Sequence, residues 1–215
     1  MRRAIITCAG EAKRWAGETP KQLVDVEGEI LLERTVRQCL QHGLSPIVVA
    51  EDDRFDVEGA ELFMPVASRW WCETALSTQV LWTPGEHVLL LGDVWYSDAG
   101  FKVVAETKGL HWFGRARPSI ITGGSGEVFA VSWDSSSAHR LHSALHAGLE
   151  HAKTDPDHFL AGSPWQPYRW LCGNPMERHM VLEREIWTEI ADWTDDFDSV
   201  ERYECWLSRR KRRFI

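Results

Sequence analysis

The chain has 215 residues, which is enough for one α/β domain with a full hydrophobic core. Its composition, 44% hydrophobic and 26% charged residues, is ordinary for a folded globular protein. The formal net charge of −8 at pH 7 argues against nucleic acid as a partner, because affinity for a phosphate backbone depends on basic charge spread over the protein surface.

The five cysteines are scattered, with no CxxC pair and no short spacing to a histidine, so they do not indicate a zinc site. The apolar run near the start, from Ala4, is shorter than the core of a signal peptide. No later stretch has the length of a membrane span. These features predict a reduced, cytoplasmic protein that does not enter a membrane.

The first fifty residues show a strand–helix–strand pattern. Residues Ala4–Ala9 form a β-branched run that ends at a glycine, which predicts a buried strand meeting a loop. Apolar residues recur at four-residue spacing over Leu31–His42, and Gly43 follows as a helix stop. Pro46–Ala50 predicts the next strand. This order predicts a βαβ unit, and therefore a parallel sheet with a right-handed crossover.

The rest of the chain continues the alternation of strands and helices, with one segment that has no periodicity. The predicted elements are, in chain order, a helix over Glu73–Trp82, a strand over His87–Leu91, strands over Ser119–Thr122 and Glu127–Trp133, a helix over Ser135–Ala152, an irregular segment over Thr154–Asn174, and a last helix from Ser199. The strand that ends before Gly92 is the most apolar, as expected for a strand covered on both faces.

Three polar clusters carry candidate chemistry. In open α/β sheets, ligands bind outside the carboxyl ends of the strands. Arg14 and Lys21 lie in the loop after the first strand and could bind phosphate oxygens, and Asp93 follows the most apolar strand and could hold Mg²⁺. A third cluster, Asp195–Asp198, precedes the last helix. Taken singly, each cluster could equally be a solvated loop, a turn or a helix cap.

The order of these clusters resembles the sugar-nucleotidyltransferase superfamily. Ala4–Trp15, followed by Pro20–Leu23, is similar to its N-terminal signature of an apolar strand, A-G-x-G-x-R and then P-K-x-L. Val26–Thr35 is similar to the segment that follows. Leu89–Val94 looks like the metal-binding strand end of the family, and Asp198–Tyr203 looks like its D-t-p-e-D-y segment.

The resemblance implies a single Rossmann-like α/β domain of the nucleotide-diphospho-sugar transferase type, with a mostly parallel twisted sheet flanked by helices. It implies a half that binds a nucleoside triphosphate over about 1–110, a half that binds the acceptor over about 111–198, and a C-terminal helix with a basic tail over 199–215.

The resemblance also implies roles for individual residues. Arg14 and Lys21 would neutralise the triphosphate and, with Asp93, form the catalytic set; Asp93 and Asp198 would hold Mg²⁺, with Asp196 and also Asp195 competing for the role of Asp198. The loop that would cradle the triphosphate comprises Ala9, Gly10, Glu11, Ala12, Lys13 and Arg14. A phosphate oxygen of the acceptor would then attack the α-phosphorus, and no general base would be needed.

The start of the helix predicted at Glu73 is a further candidate region. Arg69, Thr74 and Ser77, with Thr78, lie where related enzymes contact the base or the acceptor, although helix capping is the ordinary alternative for the hydroxyl groups. A histidine stripe, His139, His142 and His146, reads better as a half-exposed helix face than as a metal site.

The sequence departs from the family pattern at two positions: Ala12 replaces the second glycine of the loop, and Arg202 replaces the second aspartate of the last segment. The expected function is a Mg²⁺-dependent nucleotidyltransferase that joins a nucleoside triphosphate to a sugar 1-phosphate or similar acceptor. Two alternatives stay open, a glycosyltransferase that uses a sugar nucleotide and a catalytically weakened nucleotide-binding protein. The base, the acceptor and the oligomeric state are not readable from the sequence.

Overall fold

The computed structural model describes residues 2–10, 14–124, 126–178, 181 and 185–212. The predicted loop residues Glu11, Ala12 and Lys13 lie outside the described residues.

The strands alternate with helices as the sequence predicts. The strands are β1 (Arg2–Thr7), β2 (Asp25–Val26), β3 (Glu29–Ile30), β4 (Leu44–Val49), β5 (Glu61–Phe63), β6 (Glu86–Leu91), β7 (Val94–Trp95), β8 (His111–Arg115), β9 (Glu127–Asp134), β10 (Trp187–Glu189) and β11 (Asp195–Asp196). The helices are α1 (Leu31–Gln41), α2 (Trp71–Ser77), α3 (Asp98–Glu106), α4 (Ala138–Thr154), α5 (Trp165–Leu171) and α6 (Val200–Arg212), and short 3-10 helices span Lys21–Leu23, Asp53–Phe55 and Thr78–Leu81.

The main sheet has seven strands in the order β10-β8-β9-β6-β1-β4-β5. The strands β6, β1, β4 and β5 pair in parallel, and β8 pairs in parallel with β10. Only β9 among these strands runs against its neighbours, between β6 and β8. The prediction of a mostly parallel α/β sheet is therefore confirmed.

Helices cover both faces of this sheet, which explains the continuous apolar run in β1. Ile5 and Ile6 are both fully buried, but they belong to different hydrophobic clusters because successive side chains of a strand point to opposite faces. The cluster around Ile6 includes residues of α1 and α3, and the cluster around Ile5 includes residues of α2, α4 and α5. Leu141, Leu145 and Leu149, at four-residue spacing on one face of α4, are buried in the latter cluster.

A smaller third cluster attaches the C-terminal helix. The two-stranded sheet of β7 and β11 brings Trp95 and Phe197 against Trp206 of α6. This packing places the segment before α6 next to the carboxyl end of β6, although more than 100 residues separate them in the chain.

Two sequence predictions of secondary structure are wrong. Residues 119–122 form a turn and not a strand, because the Ser119 hydroxyl accepts hydrogen bonds from the backbone N–H groups of Ile121 and Thr122, and the strand that pairs with β9 is β8. The segment predicted to be irregular contains α5, whose Pro167 lies in the first turn, where proline is tolerated. No helix in the described residues is long and apolar enough to cross a membrane.

Candidate active site

A cleft of about 680 Å³ opens at the edge of the sheet where β1 and β6 end. Thr7 and Leu91, the last residues of these strands, line it. Glu127 lines it as well, because β9 is antiparallel and begins at the edge where β6 ends. The cleft therefore lies where ligands bind in open α/β sheets.

The loop after β1 forms one wall of the cleft through Ala9 and Gly10. The Cys8 N–H donates to the Val49 carbonyl at 2.8 Å, which holds the chain beside β4 as it leaves the sheet. Gly10 has a φ of +113°, a conformation that residues with a side chain rarely adopt. Backbone N–H groups of this loop can therefore approach a ligand without obstruction by a side chain.

Lys21 and Asp93 form an ion pair inside the cleft. Lys21 begins the 3-10 helix that closes the loop, and its side chain is only 14% exposed. Burial by itself lowers the pKa of this lysine, but the charge and hydrogen bond of Asp93, with the charges of Asp198 and Asp196, raise it overall. A cationic lysine is therefore held at the end of β6.

Gly92 allows the end of β6, where Asp93 follows, to lie close to β1. The Gly92 N–H donates to the Thr7 carbonyl at 3.0 Å, and a Cβ atom at Gly92 would meet the Cys8 Sγ at 2.5 Å and the Thr7 carbonyl oxygen at 2.9 Å. A residue with a side chain would push the end of β6 away from β1. The close contact with β1 therefore explains why a glycine precedes Asp93.

Three further carboxylates meet beside this ion pair. Oxygen atoms of Glu127, Asp196 and Asp198 all lie within 4.8 Å of one another, and we call these residues the carboxylate cluster. They come from the start of β9, from β11 and from the residue two positions before α6, respectively. The packing of β11 on β7 therefore brings the cluster to the end of β6.

Burial and mutual repulsion raise the pKa values of two members of the cluster. Burial, followed by the charge of Asp198, raises the pKa of Glu127 to about 8. Burial, followed by the charges of Glu127 and Asp198, raises the pKa of Asp196 well above its usual range. The charges of Arg202 and Arg14 lower the pKa of Glu127 without offsetting burial and repulsion. A set of carboxylate oxygens is also the ligand type that Mg²⁺ prefers, so the donor set fits this ion.

Asp198 also contacts two arginines. Arg14 Nη2 and Arg202 Nη1 each lie 2.6 Å from an oxygen of Asp198, and the Arg14 side chain is 69% exposed. Arg14 and Lys21, which the sequence analysis assigned to phosphate binding, thus lie on the same cleft as the carboxylate cluster.

Asp195 is directed away from the cleft. Its oxygens accept hydrogen bonds from Arg115 at 2.6 Å and from Ser119 at 2.6 Å, and the side chain is fully buried. Asp196 faces the cleft because adjacent residues of a strand point in opposite directions. The structure therefore places Asp196 and Asp198 together and gives Asp195 an internal ion pair.

The predicted contacts at the start of α2 divide into two groups. Arg69 lines the cleft, with its guanidinium 4.4 Å from the centre of the Trp70 ring. Thr74 is fully buried and Ser77 donates at 2.9 Å to the Glu73 carbonyl, four residues earlier. Neither hydroxyl belongs to the described lining of the cleft, and both donate to backbone carbonyls at their own helix.

Sequence reasoning missed other parts of the cleft. Glu127 stands at the start of a strand that was read only for its hydrophobic pattern, and Arg202 was noted only as a departure from the family pattern. The segment from Pro156 to Trp165, which the sequence places in the acceptor-binding half without any recognisable motif, also lines the cleft. A charged residue at the start of an antiparallel strand is the one signal that could have identified Glu127.

The fold is similar to that of solved nucleotidyltransferase structures. One similar solved structure is a CTP:phosphocholine cytidylyltransferase from Streptococcus pneumoniae, with a TM-score of 0.60, 15% identity, and coverage of 97% of this chain and 99% of that chain. Another is a putative glucose-1-phosphate thymidylyltransferase from Bacillus anthracis in complex with a sucrose, with a TM-score of 0.63, 14% identity, and coverage of 97% and 95%.

A UDP-glucose pyrophosphorylase complexed with UDP-glucose is also similar, with a TM-score of 0.63, 11% identity and 99% coverage of both chains. No family profile matches the sequence, and no curated protein matches it. At these identities the similarity establishes the fold.

Proposed function

We propose that the protein is a Mg²⁺-dependent nucleotidyltransferase, which joins a nucleoside triphosphate to a sugar 1-phosphate or another small phosphorylated acceptor and releases pyrophosphate. The observation that carries this proposal is the juxtaposition, in one cleft, of basic side chains suited to phosphate and a carboxylate cluster suited to a hard divalent cation.

The basic residues act on the triphosphate. Lys21 is partly buried and remains cationic, so its charge is poorly screened by solvent and acts strongly on phosphate oxygens. Arg14 is more exposed and lies at the rim, where its guanidinium can bind phosphate oxygens through two hydrogen bonds. Backbone N–H groups near Gly10 contribute further donors.

The acceptor supplies its own nucleophile. An oxygen of its phosphate forms a new bond to the α-phosphorus while the bond from that phosphorus to the β-phosphate oxygen breaks, and pyrophosphate leaves with the electron pair. Because the attacking phosphate is already anionic, the protein orients the two reactants and stabilises negative charge, and it need not remove a proton.

The residues that would hold Mg²⁺ are Asp196 and Asp198, with Glu127 and Asp93 beside them. When bound, Mg²⁺ supplies positive charge that neutralises phosphate oxygens. The raised pKa values of Glu127 and Asp196 support this assignment, because they indicate carboxylates that a cation would stabilise in the ionised form.

The test is pyrophosphate release in the presence of Mg²⁺, with each of the four nucleoside triphosphates and a panel of acceptors. The panel contains sugar 1-phosphates and phosphocholine, because the similar structures include transferases named for both kinds of acceptor. We expect release that requires one triphosphate and one acceptor, and that falls about 10²- to 10³-fold in Asp93→Asn, the usual effect of removing one preorganised polar group.

Asp56→Asn is the matched control, because Asp56 is exposed and lies outside the described cleft lining. Thermal unfolding of both variants shows whether Asp93→Asn still folds. Absence of release across the panel, together with absence of Mg²⁺-dependent triphosphate binding by calorimetry, would contradict the proposal. Triphosphate binding without pyrophosphate release would favour the alternative of a catalytically weakened nucleotide-binding protein.

A further inference from the structure

Arg202 lies among the carboxylates that are suited to a cation. Its Nη1 atom is 2.6 Å from Asp198 Oδ2, 3.9 Å from Asp196 Oδ2 and 3.9 Å from Glu127 Oε1. The guanidinium therefore supplies positive charge to all three members of the carboxylate cluster at once.

The backbone near Gly124 packs against one side of the Arg202 guanidinium. The Arg202 side chain is 26% exposed, and it projects from the first turn of α6 into the cleft lining. The backbone of Gly124 lies against the guanidinium so closely that a Cβ atom there would be 3.0 Å from Arg202 Cζ and Nη1. A Cβ atom at 124 would require the guanidinium to shift by a few tenths of an ångström.

Arg202 and a divalent cation would compete for the same oxygens. Asp198 accepts from Arg202 through Oδ2 and from Arg14 through Oδ1, so both of its oxygens are engaged by guanidinium groups. A metal ion at the carboxylate cluster must therefore replace at least one of these contacts. Arg202 is the contact that lies near all three carboxylates.

We propose that Arg202 is the counter-ion that a divalent cation displaces from Asp198, and that the freed guanidinium binds phosphate oxygens in the cleft. This inference rests on the proposed function, since it requires that phosphates and a cation share the cleft. A guanidinium presents donors in a planar fork that matches phosphate, and Arg202 already lines the cleft, so a small movement suffices. Metal binding thereby creates a phosphate-binding group.

The two halves of the proposal predict opposite effects of one substitution. We would measure Mn²⁺ binding to the free protein from the loss of the free-ion electron paramagnetic resonance signal. We would also measure binding of inorganic pyrophosphate in excess Mg²⁺ by calorimetry. The variants are Arg202→Gln, Arg202→Lys, and the control Arg209→Gln, which removes the same charge seven residues later on α6, where Arg209 donates to the Ile120 carbonyl outside the described cleft lining.

Arg202→Gln should bind Mn²⁺ about two- to fivefold more tightly, because it removes a competing ion pair of partial exposure. The same variant should bind pyrophosphate about tenfold more weakly or worse, because it loses hydrogen bonds from a charged donor. Arg202→Lys should restore part of the pyrophosphate affinity, since it keeps the charge without the planar fork. Arg209→Gln should change neither affinity.

Equal or weaker Mn²⁺ binding by Arg202→Gln would overturn the competition, and unchanged pyrophosphate affinity would overturn the second half. If the wild-type protein binds no pyrophosphate in Mg²⁺, the proposed function itself fails. If the wild-type protein binds pyrophosphate and Arg202→Gln binds it equally well, only the inference about Arg202 fails.

A measurement on the wild-type protein avoids any effect of substitution on folding. Phenylglyoxal labels accessible guanidinium groups, and the label at each arginine is quantified by mass spectrometry of peptides. Mg²⁺ alone should increase the rate of labelling at Arg202, and addition of pyrophosphate should reverse the increase, with Arg209 constant throughout. A rate at Arg202 that does not respond to Mg²⁺ would contradict the displacement.

Discussion

Two groups of residues wall the cleft, and they are held in place by different forces. The charged wall consists of Lys21, Asp93, Arg202 and the carboxylate cluster, in which Lys21 pairs with Asp93 and Arg202 pairs with the carboxylates. The aromatic wall consists of Arg69, Trp70, Trp71 and the segment from Pro156 to Trp165, which pack through rings and backbone. The charged wall is suited to stabilise charge during a reaction, and the aromatic wall is suited to hold an apolar or planar part of a substrate.

This difference predicts that substitutions in the charged wall lower kcat, whereas substitutions in the aromatic wall raise KM. A group that acts on developing charge affects the transition state more than the bound substrate, and a group that only packs against the substrate affects both equally.

The largest expected effect is that of Lys21→Met, which removes the partly buried cation but keeps most of the side-chain volume. We expect kcat to fall about 10²- to 10³-fold, the usual effect of removing one electrostatic stabiliser from an active site. Steady-state kinetics in the pyrophosphate-release assay measure it. Lys102→Met is the matched control, because Lys102 is on the exposed side of α3 and pairs loosely with Glu106 at 3.8 Å. A loss of similar size in both variants would contradict the role assigned to Lys21 in the charged wall.

The next effect concerns the backbone that supports the charged wall. Gly92→Ala should lower the free energy of unfolding by about 1–3 kcal/mol, the usual cost of adding a methyl group to a packed site. The clash is with Cys8 Sγ and the Thr7 carbonyl oxygen. Thermal or urea unfolding measures the change.

A double-mutant cycle with Cys8→Ala sharpens this test. Removing the sulfur should recover part of the stability that Gly92→Ala loses, while the clash with the Thr7 carbonyl persists. Strict additivity of the two substitutions would show that Gly92 and Cys8 do not press on each other.

Much of the charged wall was predictable from the sequence, because its residues follow strands that are themselves legible. Ala4–Ile6 and His87–Leu91 are apolar runs, and the residues after them fall at one sheet edge whatever the details of packing. The choice between Asp195 and Asp196 was not predictable. It depends on the direction of side chains in the two-residue strand β11, which forms only by pairing with β7.

The aromatic wall was largely unpredictable from the sequence. The segment from Pro156 to Trp165 has no periodicity, and its position depends on contacts such as that of Gly162 with Trp70, which are 92 residues apart. Thr74 and Ser77 were assigned to the ligand from their place in the chain, but a hydroxyl on a helix often bonds to the carbonyl four residues earlier, and both do so.

The smallest expected effect, and the one that tests the aromatic wall directly, is that of Trp70→Ala. The Trp70 ring is partly buried, lines the cleft and lies beneath the Arg69 guanidinium, so a planar or apolar part of a substrate can pack there. We expect KM for one substrate to rise about tenfold, in line with the effect of removing an aromatic stacking partner, with kcat nearly unchanged.

Trp170→Ala is the matched control, because Trp170 is 43% exposed on α5 and lies outside the described cleft lining. Comparing KM for the triphosphate with KM for the acceptor then shows which of the two rests on the aromatic wall. A fall in kcat without a rise in either KM would mean that Trp70 acts through the position of the charged wall, since Ser68, two residues before it, has its carbonyl next to Gly10. The two walls would then form one functional unit and not two.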